Sequence, residues 1–306
     1  MKIMVFDVGG TEIKYSVMDE QMHRTNSGAV PTPQDTQAQF LDAVYRLYAP
    51  HKDEVSGIAM ALPGFVDNRC GYVSNGGALL YNTATPVGQL LAEKCGCPVI
   101  LENDGKAAAM AELANGALKD CCNAAVFIIG TGVGGGIIAN GQLVRGVHFT
   151  AGEYSFVNTN AEAWDAPDQN MACQCSTSNL LKWYRARKAL PEDAPLDGRS
   201  FFAAANAGEP EALEVLRRFC HAVAVQIYNL TVLLDVEKVA IGGGISKQPL
   251  LLESLRSAYD GLYASRAGQA YMEGLPRCQI VPCAFSSEAN QVGVAAAYFE
   301  AMQKKC

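Results

Sequence analysis

The sequence has no apolar run of membrane-spanning length and no cluster of basic residues. Its 306 residues include 24 basic and 31 acidic side chains, which gives a formal net charge of −7. A chain with this charge and no basic stripe is not expected to bind nucleic acid, and one without a long apolar run is not expected to cross a membrane. The net charge does not exclude binding of an anionic nucleotide, because backbone N–H groups and a metal ion bind phosphate without positively charged side chains.

Signals for secretion are also lacking. The opening residues, MKIMVFDVGG, are strand-like and have neither the apolar length nor the cleavage site of a signal peptide. The eleven cysteines are scattered along the chain, some in apolar segments, as Cys220 is, and some in tight pairs, as Cys121-Cys122 are. They do not form a disulfide framework. A reducing cytoplasm is therefore the predicted location. With 49% apolar and 18% charged residues, the chain is expected to form a sizeable core.

The first informative segment is a glycine turn. In VFDVGGTEIKYSV (residues 5–17), an apolar run ends at Asp7, turns through Gly9 and Gly10, and continues with apolar residues at alternate positions. Alternation predicts a strand, so the segment is interpreted as a β-hairpin. It matches neither the dinucleotide-binding G-x-G-x-x-G turn nor the P-loop. From these residues alone, a phosphate-binding turn and an ordinary hairpin both stay open.

The same pattern returns later in the chain. Residues 124–144, AAVFIIGTGVGGGIIANGQLV, are again strand, glycine turn and strand, and VAIGGGIS (239–246) places a third glycine cluster after an apolar run. This repetition indicates a duplicated half. Helical periodicity is predicted for residues 36–49, 85–96, 211–234 and 290–305. Residues 157–210 are polar and proline-containing, which predicts loops and short helices.

Six segments in this order resemble the ROK sugar kinases. They are Asp7–Thr11, Leu62–Asp67, Glu102–Asp104, Ile129–Gly136, Ala151–Glu153 and Gly242–Gly244. The resemblance covers nearly the whole chain and implies an α/β, two-lobed actin-like or hexokinase-like (ribonuclease H-like) ATPase fold with duplicated βββαβαβα halves. It further implies a small N-terminal lobe, residues 1–116, joined by the C-terminal helix 290–306. The large lobe would be residues 117–289, with an insertion at about 157–210.

The resemblance implies ATP and Mg²⁺ as cofactors. Asp7 would hold Mg²⁺ through water, in keeping with the tendency of Mg²⁺ to retain several waters. For Lys14, a solvated strand lysine is favoured over a phosphate contact. The implied nucleotide-binding residues are Asp7, Gly9, Gly10, Thr11, Thr131, Gly132, Gly134, Gly242, Gly243 and Gly244.

Asp104 follows a buried strand and precedes an Ala-rich helix. One interpretation is a helix N-cap, a position that Asp fills well. The other, which the resemblance implies, is a general base that accepts the proton of a sugar hydroxyl during phosphoryl transfer. The base is favoured, because capping alone does not explain the neighbouring Asn103. The implied sugar-binding residues are Gly64, Gly77, Asn103, Asp104 and Glu153.

The chain departs from the family pattern at the zinc site beside the sugar. That pattern has a His soon after the Gly-Glu pair, and then C-x-C-G-x-x-G-C-x-E. Phe156 stands in the His position, Leu180 in that of the third Cys and Lys182 in that of the Glu. Structural zinc has four nitrogen or sulfur ligands, and only Cys173 and Cys175 remain. No zinc site is predicted.

This departure bears on the substrate, because the missing residues contact the sugar near C1 and C2 in the typical family member. A more open or more apolar anomeric side favours a β-glucoside such as cellobiose, phosphorylated on the 6-hydroxyl of its glucose unit, as in a zinc-less branch of the family. Glucokinase is the alternative, followed by N-acetylmannosamine kinase. The roles of Arg145, His148, Trp164 and Trp183 stay open.

Two other functions are less consistent with the sequence. A sugar-responsive repressor would carry a DNA-binding domain before Asp7, and none is expected. A non-catalytic sugar-binding protein is disfavoured by the presence of Asp7, Asp104 and both glycine turns. The expected partners are a small-molecule sugar and, from family likeness, a second copy of the chain in a homodimer.

Overall fold

The computed structural model describes residues 1–266 and 268–303. The chain divides into two compact units. The first comprises Met1–Gly116, Leu143–Ala151 and the described residues from Ser287 onward, and the second comprises Ala117–Gln142 and Gly152–Ser286. Within the described ranges, no helix is both long enough and apolar enough to span a bilayer.

The strands of the described residues are, in chain order, β1 (Lys2–Val8), β2 (Glu12–Asp19), β3 (Arg24–Pro31), β4 (Ile58–Leu62), β5 (Phe65–Asp67), β6 (Tyr72–Asn75), β7 (Val99–Asn103), β8 (Ala124–Ile129), β9 (Val133–Ala139), β10 (Gln142–Val144), β11 (Lys238–Gly242) and β12 (Gln279–Pro282).

The α-helices are α1 (Gln37–Tyr48), α2 (Val87–Cys95), α3 (Asp104–Asn115), α4 (Met171–Gln174), α5 (Thr177–Arg187), α6 (Gly198–Asn206), α7 (Pro210–Leu234), α8 (Pro249–Ala264) and α9 (Ala289–Gln303). The last residues of the predicted C-terminal helix, 304–306, lie outside the described residues.

Each unit is built on a five-stranded sheet. The strand order is β3-β2-β1-β4-β7 in the first sheet and β10-β9-β8-β11-β12 in the second. In the first, β1 to β3 are joined by antiparallel pairing, whereas β1, β4 and β7 are parallel. In the second, β8 is antiparallel to β9 and parallel to β11, which is parallel to β12. The two sheets share one strand order, so the predicted duplicated α/β halves are confirmed.

This topology determines where functional side chains gather. In open sheets, ligands bind beyond the carboxyl ends of the parallel strands. Asp7 on β1 lies opposite Ala61 on β4, and Leu62 at the end of β4 lies opposite Asn103 on β7. Segments that leave these three strands therefore emerge at one edge of the first sheet. The segments that follow β8 and β11 do the same in the second, where Ile128 is the partner of Gly242.

Each unit has its own apolar core. Phe6, Phe40 and Leu101 are fully buried in the first unit. Leu180 and Phe201, from the polar segment 157–210, are fully buried in the core of the second. Residues 157–210 therefore contribute α4, α5 and α6 to that core.

The segment Leu143–Ala151 belongs to the first unit, whereas the sequence division assigned it to the large lobe. The reason is local contact. Arg145 pairs with Glu102 at 2.8 Å, and the guanidinium of Arg69 lies 4.5 Å from the ring centre of Phe149.

Candidate active site

The first glycine turn is held by residues that follow β3. Thr32 donates its backbone N–H to the carbonyl oxygen of Thr11 (3.0 Å) and its hydroxyl to that of Gly9 (2.8 Å). The Gln34 amide donates to the carbonyl oxygen of Gly10 at 2.7 Å. Thr11 itself is exposed. Side-chain and backbone donors of Thr32 and Gln34 thus bind the carbonyl oxygens of the turn. These two residues were not predicted from the sequence, because β3, which precedes them, was not identified.

Asp7 lies near the carboxyl end of β1 and is partly buried. Asn290 on α9 donates its side-chain N–H to Asp7 Oδ1 at 2.8 Å. Burial raises the pKa of Asp7 above its ordinary value, while the Asn290 hydrogen bond and the charge of Lys14, its cross-strand partner, act in the opposite direction.

The surroundings of Asp7 bear on the Mg²⁺ that the resemblance implies. No group of three or more His, Cys, Asp or Glu placed to hold a metal ion occurs within the described ranges. Mg²⁺ that binds together with substrate phosphates keeps several waters and uses one or two carboxylates. A single carboxylate at a strand end, hydrogen-bonded by a neutral amide, fits that kind of site.

Asp104 is the first residue of α3, and the cap of this helix is Asn103. The Asn103 side-chain oxygen accepts from the Lys106 backbone N–H at 3.0 Å. Asp104 Oδ1 accepts from the Gly105 N–H at 2.7 Å and from the Asn103 amide at 3.1 Å. The interpretation of Asp104 as the N-cap is therefore wrong, because Asn103 does that work. A carboxylate in the first turn is also stabilised by the helix dipole.

Four of the five predicted sugar residues gather in the first unit. The Asn103 amide donates to the Gly64 carbonyl oxygen at 2.9 Å, and Gly77 donates its N–H to Asn75 at 2.8 Å. Gly64 has φ +94°, and a Cβ there would overlap the Asn75 carbonyl oxygen. Only glycine tolerates that conformation and approach. Gly64, Gly77, Asn103 and Asp104 thus form one cluster, in which the Asn103 amide bonds the Gly64 loop, Asp104 and α3.

Behind this cluster lies an ion pair that sequence analysis did not predict. Glu102 is fully buried, and its Oε2 accepts from Arg145 Nε at 2.8 Å and from the Asn68 amide at 3.2 Å. Its Oε1 accepts from the Asn103 backbone N–H at 3.1 Å. The side chain of Arg145 is 28% exposed. Glu102 therefore links the residue that caps α3 to Arg145, about forty residues further along the chain. The only sequence signal for Glu102 was its place beside Asn103.

The second glycine turn shows similar support inside the second unit. Thr131 is exposed, and the Gly130 N–H donates to the Gly132 carbonyl oxygen at 3.0 Å. Thr177 at the start of α5 donates its N–H to the Gly130 carbonyl oxygen at 2.8 Å. Ser155 accepts from the Val133 N–H at 3.1 Å.

The third glycine cluster reaches the same turn. Gly243 has φ +97°, and a Cβ there would overlap the Ile129 carbonyl oxygen. The cluster begins at Gly242, the last residue of β11, and Gly244 is exposed, as is Gly134 within β9. The predicted nucleotide residues of the second unit therefore surround the carboxyl ends of β8 and β11.

Glu153 also belongs to the second unit. It precedes a 3₁₀ turn, Tyr154–Phe156, and its carbonyl oxygen accepts from the Phe156 N–H at 3.2 Å. The turn is fixed on β9, because the buried Tyr154 hydroxyl donates to the Gly136 carbonyl oxygen at 3.1 Å. Phe156, the last residue of the turn, follows Glu153 by three positions, and its side chain is 72% exposed.

The positions of the family zinc pattern are filled by core and surface residues. Leu180 is fully buried, and Lys182 is exposed. Cys175 is 1% exposed, and burial raises the pKa of its thiol to about 12. The Cys173 sulfur lies 3.7 Å from the Pro167 carbonyl oxygen. The absence of zinc stays a prediction, which these positions support.

Two side chains with open roles are explained by packing or ion pairing. The Arg218 guanidinium lies 3.7 Å from the Trp183 ring centre, so Trp183 belongs to a cation–π contact of the second unit. Arg145 pairs with Glu102, as described above. Trp164 is 75% exposed, and His148 is exposed.

Comparison with known proteins gives a consistent result. The model of the ROK family matches residues 3–303. A β-glucoside kinase of Listeria innocua serovar 6a is 30% identical over 258 residues, which cover 84% of this chain and 87% of that protein.

Solved structures agree. A ROK family protein from Streptococcus pneumoniae TIGR4, in complex with sucrose, is 27% identical with a TM-score of 0.87, over 99% of this chain and 100% of that one. A ROK family glucokinase from Streptomyces griseus, in complex with glucose and AMPPNP, is 25% identical with a TM-score of 0.79, over 97% and 99%. The two-lobed ATPase fold expected from the sequence is confirmed.

Proposed function

The chain belongs to the ROK family, and from that premise we propose that it is an ATP-dependent sugar kinase acting on a β-glucoside such as cellobiose. The phosphoryl group would go to the 6-hydroxyl of the glucose unit. The observation that carries the proposal is the placement of Asp104: a carboxylate in the first turn of α3, oriented by Asn103 and Gly105, while the capping role falls to its neighbour.

In the proposed reaction, Asp104 accepts the proton of the sugar hydroxyl. The sugar oxygen then bonds to the γ-phosphorus of ATP, the bond from that phosphorus to the β–γ bridging oxygen breaks, and ADP leaves. Such transfer requires mainly positioning and charge stabilisation. The chain supplies exposed turns at Thr11 and Thr131, and Gly64 and Gly77 beside Asp104. Glu153, a hydrogen-bond acceptor, suits a sugar that offers only hydroxyls.

Asp7 is the residue that would hold Mg²⁺. When bound, the ion neutralises charge on the phosphate oxygens. The AMPPNP complex of the Streptomyces griseus relative supports ATP as the donor.

The β-glucoside preference is supported by Phe156 and by the 30% identical β-glucoside kinase. Phe156 offers an exposed apolar ring three residues after Glu153 in the chain. Such a ring would favour the apolar face of an aglycone or second sugar over a free anomeric hydroxyl. Glucokinase is the second candidate, favoured by the Streptomyces griseus relative, and N-acetylmannosamine kinase is the third.

The test is release of ADP from Mg·ATP, followed with glucose, cellobiose, an aryl β-glucoside and N-acetylmannosamine. We expect the β-glucosides to have the highest kcat/KM. Asp104→Asn should lower kcat by a factor of about 10² to 10⁴, the range for general acid–base catalysis, and keep the folded circular dichroism spectrum. Equal turnover by both proteins would contradict the base.

Two further variants test the substrate. Loss of an apolar contact that contributes about 1.4 kcal/mol to transition-state binding lowers kcat/KM about tenfold. Phe156→Ala should therefore lower kcat/KM about tenfold for the aryl β-glucoside and much less for glucose. Leu233→Ala, which changes an exposed apolar side chain at the end of α7, is the matched control. An equal loss for both sugars would overturn the role of Phe156 and leave the kinase proposal standing.

Further parts of the proposal concern assembly and location. We propose a homodimer, by likeness to the family, and a cytoplasmic enzyme, by the cysteine usage. Gel filtration at the mass of a single 32.6 kDa chain would contradict the dimer.

A further inference from the structure

One residue outside every motif of the sequence contacts Asp7. Asn290 is the second residue of α9 and, at the far end of the chain from β1, donates its amide N–H to Asp7 Oδ1 at 2.8 Å. Both residues lie in the first unit. A hydrogen bond between two distant parts of the chain, to a carboxylate at a strand end, requires that α9 hold its place against the sheet.

The first turn of α9 is fixed by a second amide. Gln291 is 3% exposed, and its side-chain oxygen accepts from the Ser16 hydroxyl on β2 at 3.2 Å and from Arg24 on β3 at 3.4 Å. Further along, a Cβ at Gly293 would overlap the backbone of Ala107 in α3. The helix therefore packs closely against α3 and the first sheet. Of the two adjacent amides, Asn290 contacts Asp7 and Gln291 contacts Ser16 and Arg24.

The chemistry of the donor matters as much as its position. A Lys or Arg in this place would bind the carboxylate but compete with a cation for its charge. A neutral amide fixes the orientation of the carboxylate and leaves its negative charge in place. This hydrogen bond uses one of the two carboxylate oxygens.

We propose that Asn290 is a positioning residue for the carboxylate that holds the nucleotide's magnesium ion. The inference rests on the proposed role of Asp7. Asn290 touches neither the sugar nor the phosphates in this proposal; it acts by holding Asp7 in one orientation.

The experiment measures ADP binding by isothermal titration calorimetry, once with Mg²⁺ and once in EDTA. Asn290→Ala should weaken binding of ADP about tenfold with Mg²⁺, which is about 1.4 kcal/mol, and leave binding in EDTA unchanged. Asn290→Gln, which keeps an amide donor on a longer side chain, should recover part of the difference. The half-saturating Mg²⁺ concentration for turnover should rise by the same factor, with KM for the sugar unchanged.

Gln291→Ala is the matched control, since it removes the neighbouring amide, and with it the contacts to Ser16 and Arg24. It should lower the unfolding temperature and leave the ratio of the two ADP affinities as in the wild type. The inference is overturned if Asn290→Ala changes stability alone, or changes both affinities equally. If wild-type protein neither turns over a sugar nor binds ADP more tightly with Mg²⁺, the proposed function is at fault.

Discussion

Removal of the Arg145 guanidinium should destabilise the first unit strongly. Arg145→Met keeps most of the aliphatic length but leaves Glu102 without its cationic partner. Glu102 is fully buried and accepts from Arg145 at 2.8 Å. The remaining donors in contact with Glu102, the Asn68 amide and the Asn103 N–H, are neutral and do not compensate a full negative charge.

The size of the effect follows from burial. Breaking a buried pair by removing one partner reduces the free energy of unfolding by about 3–5 kcal/mol, because the remaining charge stays desolvated. Removing both charges is far less damaging. The double variant Glu102→Gln, Arg145→Met should therefore be more stable than Arg145→Met alone, since the Gln amide oxygen still accepts from Asn68 and Asn103.

An exposed pair of the same unit is the control. Lys94 and Asp42 lie 2.6 Å apart, with side chains 35% and 51% exposed. Exposed pairs contribute little to stability, so Lys94→Met should leave the free energy of unfolding close to that of the wild type. The assay is urea unfolding followed by far-UV circular dichroism, together with hydrogen exchange of peptides that cover β7. The reasoning is refuted if Arg145→Met is no worse than Lys94→Met, or if the double variant is the least stable of all.

Two further predictions concern the cysteines and the metal. Burial disfavours the thiolate and raises the pKa of Cys175 and Cys220 to about 12. At pH 8, iodoacetamide should therefore label exposed Cys70 and Cys122 and leave these two buried cysteines unlabelled until urea is added, as measured by peptide mass spectrometry. Labelling of Cys175 in the folded protein would contradict its place in the core. Protein purified without chelator should contain less than about 0.1 zinc per chain by elemental analysis, because the positions of the family zinc pattern do not supply the four N or S ligands of a structural site. Stoichiometric zinc retained after dialysis would refute this prediction.

The parts of the fold that periodicity describes were predictable. A helix over 211–234 and the strand before Asp104 follow from short-range apolar patterns, and α7 and β7 match them closely. The third strand, β3, was not recognised from its own residues. Its sequence, RTNSGAVP, is largely exposed, so it has little apolar alternation to detect. It is held by pairing with β2, which is information that lies outside the segment.

The candidate site divides in the same way. Asp7, Asp104 and the glycine turns stand in local motifs, so the sequence marked them. Arg145 and Asn290 act through contacts with Glu102 and Asp7, which lie far away along the chain. The residues around each give no sign of its distant partner, and a lone Arg or Asn is as consistent with a surface position as with a buried partner.

The end of β7 shows why activity and stability must be measured together in this protein. Glu102, Asn103 and Asp104 are consecutive, yet the first is buried against Arg145, the second caps α3, and the third is the proposed base. Glu102 and Asp104 are both carboxylates, but only Asp104 is partly exposed. Loss of Glu102 would displace the Asn103 backbone and with it Asp104, so a variant that never touches the sugar would still lower kcat. Only a change in kcat at unchanged unfolding free energy assigns a residue of this segment to the chemistry.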